Sequence, residues 1–393
     1  MRLVERLSAP LLFFLVGAFA LQQTVYRPYH NWDMIGYIAA AKSFEERDLE
    51  SLHTFTYDQV RHLVSSEQYE HLVQSNCRHA ISTDASAFKE QLPFYQIRPV
   101  YTGLIYLLYK TGVDIGFATH MVSCVAVIIA VAFLYLLSVS FLPRPLTYAV
   151  PLFALIFNVP DLAKFSTPDG LAFLAVILSA YLYLKKRIAL LLFLLPVVLG
   201  IRTDLILFTV PLLCFIFLFE RSSRWKAGLS LFLSVAIYVG IGAYWENPGW
   251  STIFYFTLVQ QLTHPISMPP TLTTQKYFYV LFSGIKSLSV NKSLILYVLV
   301  ASYSLYLIKN HAKTTSLVIK SKSSSAMLTV VCLVFIVSHF LLFPLALDRF
   351  FSGPYLIGAF SLLVMITDFL KASDSAQQGV TPDGNSAVFH IGR

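Results

Sequence analysis

The sequence predicts an all-α, polytopic transmembrane helical bundle of about ten spans, with re-entrant or interfacial helices beside them. Three observations predict it. Of 393 residues, 56% are hydrophobic and only 13% charged, with a mean hydropathy of +0.65, too little polar surface for a soluble chain of this length. The runs 122–141, 205–219 and 327–344 contain no Lys, Arg, Asp or Glu, so they lack the polar face of a helix that packs on one side only. Basic residues stand in short clusters between apolar runs, as the positive-inside rule expects. That placement, rather than the net charge of +8, decides against nucleic acid as a partner.

Residues 1–25 read as a first transmembrane helix, its core at 9–25, behind Arg2 and Arg6. An Ala-Phe-Ala ending at Ala20 resembles a signal-peptidase site. The apolar stretch is long and further spans follow, so the uncleaved helix is preferred. Residues 26–97 form a polar, extracytoplasmic loop in which 34–44 and 57–72 read as amphipathic helices on the membrane surface. Loops of this length between spans more often carry function. The bundle, 98–370, holds spans near 117–141, 145–159, 168–184, 188–201, 204–219, 227–245, 292–308, 326–344 and 353–370. Segments 98–112 and 277–290 are short and read as re-entrant or interfacial. Residues 371–393 are rich in Ser, Gly and Gln and read as a disordered cytoplasmic tail.

Parity supports this layout. With the first loop outside and 98–112 not crossing, Arg144, Lys185-Lys186-Arg187, Arg221/Arg224/Lys226 and the cluster 309–322 all fall inside. The connections 161–170, 202–204, 245–276 and 348–354 then fall outside. Cys124, Cys214 and Cys332 sit in apolar runs and Cys77 in the polar loop, a pattern that predicts neither a disulfide nor a Cys-x-x-Cys metal site.

Candidate functional residues gather on that outer face. Asp33, in His30-Asn31-Trp32-Asp33, opens the exported loop. Asn31 or Asp33 could cap the following helix; Asp33 could equally deprotonate a hydroxyl or ligate a hard cation. Arg98 precedes Pro99 and apolar sequence, so it either snorkels to headgroups or grips phosphate. Asp169, in Thr167-Pro168-Asp169-Gly170, reads first as a helix cap, then as an arginine partner or an acceptor for sugar hydroxyls. Arg202 and Asp204 interrupt two apolar runs, where charges are costly unless paired or functional. Arg202 could neutralise Asp204 or reach Asp169. Asp348-Arg349 joins the last two spans and could be a solvated pair. Arg98, Arg202 and Arg349 nevertheless recur singly on one face against the charge bias, which suggests a shared anionic ligand. His53, His62 and His71 are spaced by nine and do not converge on one helix face. His264, in the second long outer loop, is a weaker candidate for acceptor or phosphate contact.

The order of these segments resembles a family. Asp33 with Tyr37 and Ala39-Ala40-Ala41, then Arg98-Pro99-Val100-Tyr101, Pro168-Asp169-Gly170, Arg202-Thr203-Asp204 and Arg349-Phe350 together look like the GT-C superfamily of polytopic glycosyltransferases. The resemblance implies a GT-C-like fold in the cytoplasmic membrane and an active site facing the periplasm or cell exterior. It also implies transfer of a sugar from a polyprenyl-phosphate-linked donor. Asp33 would then be the catalytic base or metal ligand, and Arg98, Arg202 and Arg349 would bind the donor phosphate. Tyr37, Tyr101, Asp169, Asp204 and His264 would line the substrate site. Many relatives carry paired acidic residues where this chain has Asn31 before Trp32-Asp33, so a divalent cation, Mg2+ or Mn2+, stays an open alternative. The chain shows no large soluble C-terminal domain of the kind protein-glycosylating members carry, which favours a cell-envelope glycan or lipid as acceptor. An O-antigen-polymerase-like enzyme, a flippase for polyprenyl-linked glycans and a non-catalytic membrane scaffold are the competing readings.

Overall fold

A computed structural model describes the backbone of residues 2–310 and 324–377, with side chains for 8–306 and 324–371. Among the described residues the regular secondary structure is all helical, apart from one isolated parallel bridge between Tyr29 and Phe165. Five helices are long and apolar enough to cross a membrane: Ser8–Tyr26, Ile115–Phe141, Arg221–Tyr244, Ser324–Leu342 and Asp348–Lys371. Thr274–Leu288 and Lys292–Tyr306 form a sixth if read as one span bent by 71°. Arg144–Ile156, Asp169–Leu184, Ile188–Gly200 and Thr203–Phe219 are apolar but only 10–17 residues long, short of the roughly 20 that an untilted helix needs. The expected 145–159 span is interrupted further, since Asn158 turns left-handed (φ 56°) before a new helix, Val159–Lys164. The expected tail boundary also moves: the last helix runs on to Gln377. The rest of that tail and most of the 309–322 cluster lie outside the described residues.

The bundle has two chemically different ends. At one, Lys186 pairs with Glu220 at 2.9 Å and Lys185 lies over the Phe141 ring at 5.3 Å. Ser8, at the start of the first span, hydrogen-bonds Tyr148 near Arg144 at 2.6 Å. At the other end lie Asp33, Arg98, Asp169, Arg202 and Arg349, which line one cavity. Helices Asp169–Leu184 and Thr203–Phe219 both run from the cavity end to the basic end.

The polar segment after the first span folds into a small helical unit with its own core. Met34, Ile38, Tyr57, Val60 and Phe88 pack together there with Tyr101 and Ile105 of Pro99–Lys110. The helix Trp32–Lys42 is buried at every position from Met34 to Ala41. It is therefore an internal helix, in contrast to the surface helix expected at 34–44. Gly36 and Ala39-Ala40-Ala41 permit this, because small side chains let neighbours approach closely; a Cβ at Gly36 would sit 2.3 Å from the Tyr95 ring. The other expected surface helix, 57–72, is broken between Leu49–Leu63 and Ser66–Val73. A capping box of Ser65 and Gln68 starts the second piece.

Gly170 sets the closest approach in the bundle near the site. A Cβ there would lie 2.8 Å from the backbone oxygen of Ser123, whose hydroxyl donates to the Thr167 carbonyl at 2.6 Å. Gly170→Ala is expected to force the two helices apart and cost about 1–3 kcal/mol. Gly103→Ala, with nothing within 4 Å, should instead stabilise by about 0.5–1 kcal/mol. Thermal unfolding of the two purified variants in one detergent checks both signs.

Candidate active site

Two adjoining strips of chain build the floor. Tyr29 N–H donates to the Lys164 carbonyl at 3.0 Å, and the Ser166 hydroxyl donates to Asn31 Oδ1 at 2.9 Å. Asn31 is the N-cap of Trp32–Lys42, accepting from Met34 N–H at 3.3 Å. That leaves Asp33, in the first helical turn, free of the capping role. Its carboxylate accepts from Asn31 Nδ2 at 3.3 Å and faces Arg349 Nη1 at 3.7 Å.

Asp169 is 4% exposed and does not cap its helix. It accepts from the Thr167 hydroxyl at 2.7 Å and pairs with Arg202 Nη1. Arg202, 8% exposed, is extended (φ −151°) between short 3-10 turns. Its Nε and Nη2 meet the two Asp204 oxygens at 3.0 and 2.5 Å. Both pairings left open by the sequence therefore form at once, and every nitrogen of this guanidinium donates to a carboxylate. His339 completes the group, with Nε2 at 2.9 Å from Asp204 Oδ2 and only 3% exposure. His339 is the one histidine in the otherwise charge-free run 327–344, where such groups usually mark a site, and that is the signal the sequence offered for it.

Arg349 lies between two carboxylates, 3.7 Å from both Asp33 and Asp169. Its Nε is buried without a hydrogen-bond partner. Asp348 is no solvated loop charge: Asn158 and Asn291 both donate to it, the latter at 2.8 Å. That clasp fixes the start of Asp348–Gln377 and so aims Arg349. Arg98 donates to the Phe94 carbonyl at 2.5 Å and lies over the Tyr37 ring at 5.6 Å. Burial pushes the Tyr37 phenol well above its ordinary pKa, so it meets a ligand as a neutral hydroxyl.

These groups surround a cavity of about 240 Å³, whose lining includes Asp33, Tyr37, Arg98, Asp169, Arg202 and Arg349. Asp204 and His339 also reach its wall. A larger cavity of about 640 Å³ adjoins it, and the two share Asp33, Tyr95, Phe256, Thr257 and Arg349. Two expected site residues lie elsewhere. Tyr101 is fully buried, donates to the Thr119 carbonyl at 2.9 Å and supports the Tyr37 ring edge-on at 4.9 Å; its position inside the core removes it from the substrate surface. His264 is held by Glu90 at 3.1 Å and lines neither cavity. Glu90 also accepts from Ile266 N–H and Ser267 N–H at 2.7 and 3.0 Å, so the pair clasps the loop 259–273 to the polar segment that follows the first span.

The donor set makes a poor metal site. Among the described residues no three His, Cys, Asp or Glu side chains gather in a metal-binding group. Asp33 stands next to a guanidinium that would oppose a divalent cation, and Asp169 and Asp204 are occupied by Arg202. No protein-family model matches the chain, and neither a curated protein nor a solved structure is significantly similar to it.

Arg202→Ala would strand two carboxylates in a low-dielectric setting, and a loss of about 3–5 kcal/mol in folding stability is expected. Arg202→Lys should recover little of it, because a single ammonium cannot reproduce the fork; thermal unfolding in detergent measures both. The Glu90 clasp should respond to acid. Burial raises this carboxyl's pKa, but hydrogen bonds from Ser267, Ile266 and His264 outweigh that and lower it. The clasp is therefore fully stabilising above the unfolded carboxyl's 4.5 and is lost as pH falls through the lower folded value. Limited proteolysis within 258–274 should accelerate over that acid range in the wild type, and at neutral pH in Glu90→Gln.

Proposed function

We propose that this chain is a GT-C-type glycosyltransferase with about ten membrane crossings. It transfers a sugar from a polyprenyl-phosphate donor to an extracytoplasmic acceptor, a cell-envelope glycan or lipid. The observation that carries the reading is one cavity in which Asp33, the one lining carboxylate that Arg202 does not hold, stands beside two guanidinium groups that no tight carboxylate pair consumes, Arg98 and Arg349. The four short apolar helices count as crossings in this reading, with the bilayer locally thinned around them and flanking polar residues snorkelling to the surface. The cavity faces outward, because the basic clusters gather at the opposite end of the bundle.

The chemistry follows from those three groups. Glycosyl transfer needs an acceptor hydroxyl made nucleophilic and negative charge stabilised on the departing phosphate oxygen. Asp33 takes the hydroxyl proton as the acceptor oxygen bonds to the anomeric carbon. The bond from that carbon to the phosphate oxygen breaks, and its electron pair leaves with the phosphate. Arg349 and Arg98 receive that charge in forked hydrogen bonds. Before donor arrives, Arg349 is shared loosely by Asp33 and Asp169. Phosphate competes for it, and a guanidinium that turns to the phosphate leaves the Asp33 carboxylate free to face the acceptor hydroxyl. Arg202 is fully committed to carboxylates and serves here to fix Asp169 and Asp204, rather than to grip phosphate as the resemblance implied.

Asp33→Asn keeps shape and hydrogen bonding but removes the base. Loss of at least a hundredfold in transfer rate is expected, with the protein still inserted and folded. Arg349→Ala should reduce transfer and weaken donor binding together. Glycan and glycolipid profiles of cells carrying each well-expressed variant provide the measurement; unchanged profiles for Asp33→Asn would remove it from the reaction.

A further inference from the structure

The larger cavity holds a feature that the transfer chemistry above leaves unused. Its walls combine aromatic faces from Tyr29, Trp32 and Phe165 with the amides of Asn31, Asn158 and Gln261. At about 640 Å³ it has the size of an organic ligand pocket rather than of an ion site. It opens onto Asp33 and Arg349, so an occupant can present a hydroxyl to the proposed base.

Charge in this chamber is uneven once existing pairs are removed. Lys164 is bridged to Asp161 at 3.0 Å, and Arg349 faces Asp33. Asp348 is satisfied by Asn158 and Asn291 at the start of its helix. Burial lowers the pKa of His30, in the same wall, which makes it a neutral group at physiological pH. Arg78 is different. Its guanidinium lies over the Trp32 ring at 5.2 Å, its Nε is buried without a hydrogen-bond partner, and no ion pair links it to a carboxylate among the described residues. A cation stacked on an aromatic face and lacking an anion is a ready fork for a carboxylate.

We infer that the larger cavity is the acceptor chamber and that it takes an acidic saccharide. The sugar ring lies against Trp32 and Tyr29, its hydroxyls meet the Gln261 amide, and its carboxylate pairs with Arg78. This rests on the transferase reading for the word acceptor, though not for the binding itself. The donor phosphate is a different occupant, and the smaller cavity, with Arg98 and Arg349, serves it.

Binding can be read from tryptophan fluorescence of the purified full chain in detergent, titrated with D-glucuronate, D-glucose or inorganic phosphate and no donor present. D-glucuronate should quench saturably, with D-glucose at least tenfold weaker. Arg78→Gln should lose about tenfold in D-glucuronate affinity, as expected for one charged hydrogen-bonded contact, while binding D-glucose as before. Arg78→Lys should keep part of the preference, which separates loss of charge from loss of fold. Trp32→Phe should lose the signal, and phosphate should fail to displace the sugar. Equal binding of the two sugars, an unaffected Arg78→Gln, quenching that persists in Trp32→Phe, or displacement by phosphate would each overturn the assignment. Binding without any transfer by the wild type would sink the transferase reading and leave the chamber standing, and transfer without D-glucuronate binding would do the reverse.

Discussion

The cavity depends on one buried cation. Arg202 is almost without solvent and donates to carboxylates from two different helix starts, Asp169 and Asp204. In surroundings of low dielectric an isolated charge is prohibitively costly, so each member of such a group must find the others before the bundle can close. Apolar side chains behind them supply attraction with little directional preference. The charges supply the direction. They pin the Asp169–Leu184 and Thr203–Phe219 helices at the same height and draw His339 from the Ser324–Leu342 span toward the same point.

That tight core contrasts with its neighbour. Arg349 stands 3.7 Å from two carboxylates and makes a close bond with neither. The lining of the smaller cavity contains three arginines and three aspartates, so attraction for an anion comes from exchange of partners, and long-range positive potential is absent. A site balanced in this way discriminates by geometry. On the proposed reading, an incoming phosphate must offer Arg349 and Arg98 better hydrogen bonds than they already have.

Small residues and clasps do the positioning. Gly170 lets the Asp169 helix touch the Ser123 backbone, and Gly36 lets Tyr95 lie flat on the helix that carries Asp33 and Tyr37. Asn158 and Asn291 hold Asp348 and thereby the direction of Arg349. Glu90 ties the loop 259–273 to the polar segment beyond the cavities. The polar segment consequently behaves as a folded wall, with Trp32 and Arg78 presented on its inner surface.

Helical character, membrane-crossing apolar runs and the special standing of Asp33, Arg98, Asp169, Arg202 and Arg349 were legible in the sequence, because charges interrupting hydrocarbon-length runs are expensive wherever the chain folds. His339 carried the same signal and was missed, since histidine does not break a charge-free run as arginine does. Arg78 carried none, being one basic residue among many in a polar segment. Partner choice was not legible. Arg202 could take Asp204 or Asp169 by local reasoning, and only packing of distant helices brought both within reach. Tyr101 and His264 looked like site residues from their neighbours in sequence, yet the first is buried behind Tyr37 and the second serves Glu90. Local sequence determines which segments bury and which charges need compensation; the pairing of Arg202 with Asp169, of His339 with Asp204 and of Arg349 with Asp33 joins separate helices, and only the tertiary fold decides it.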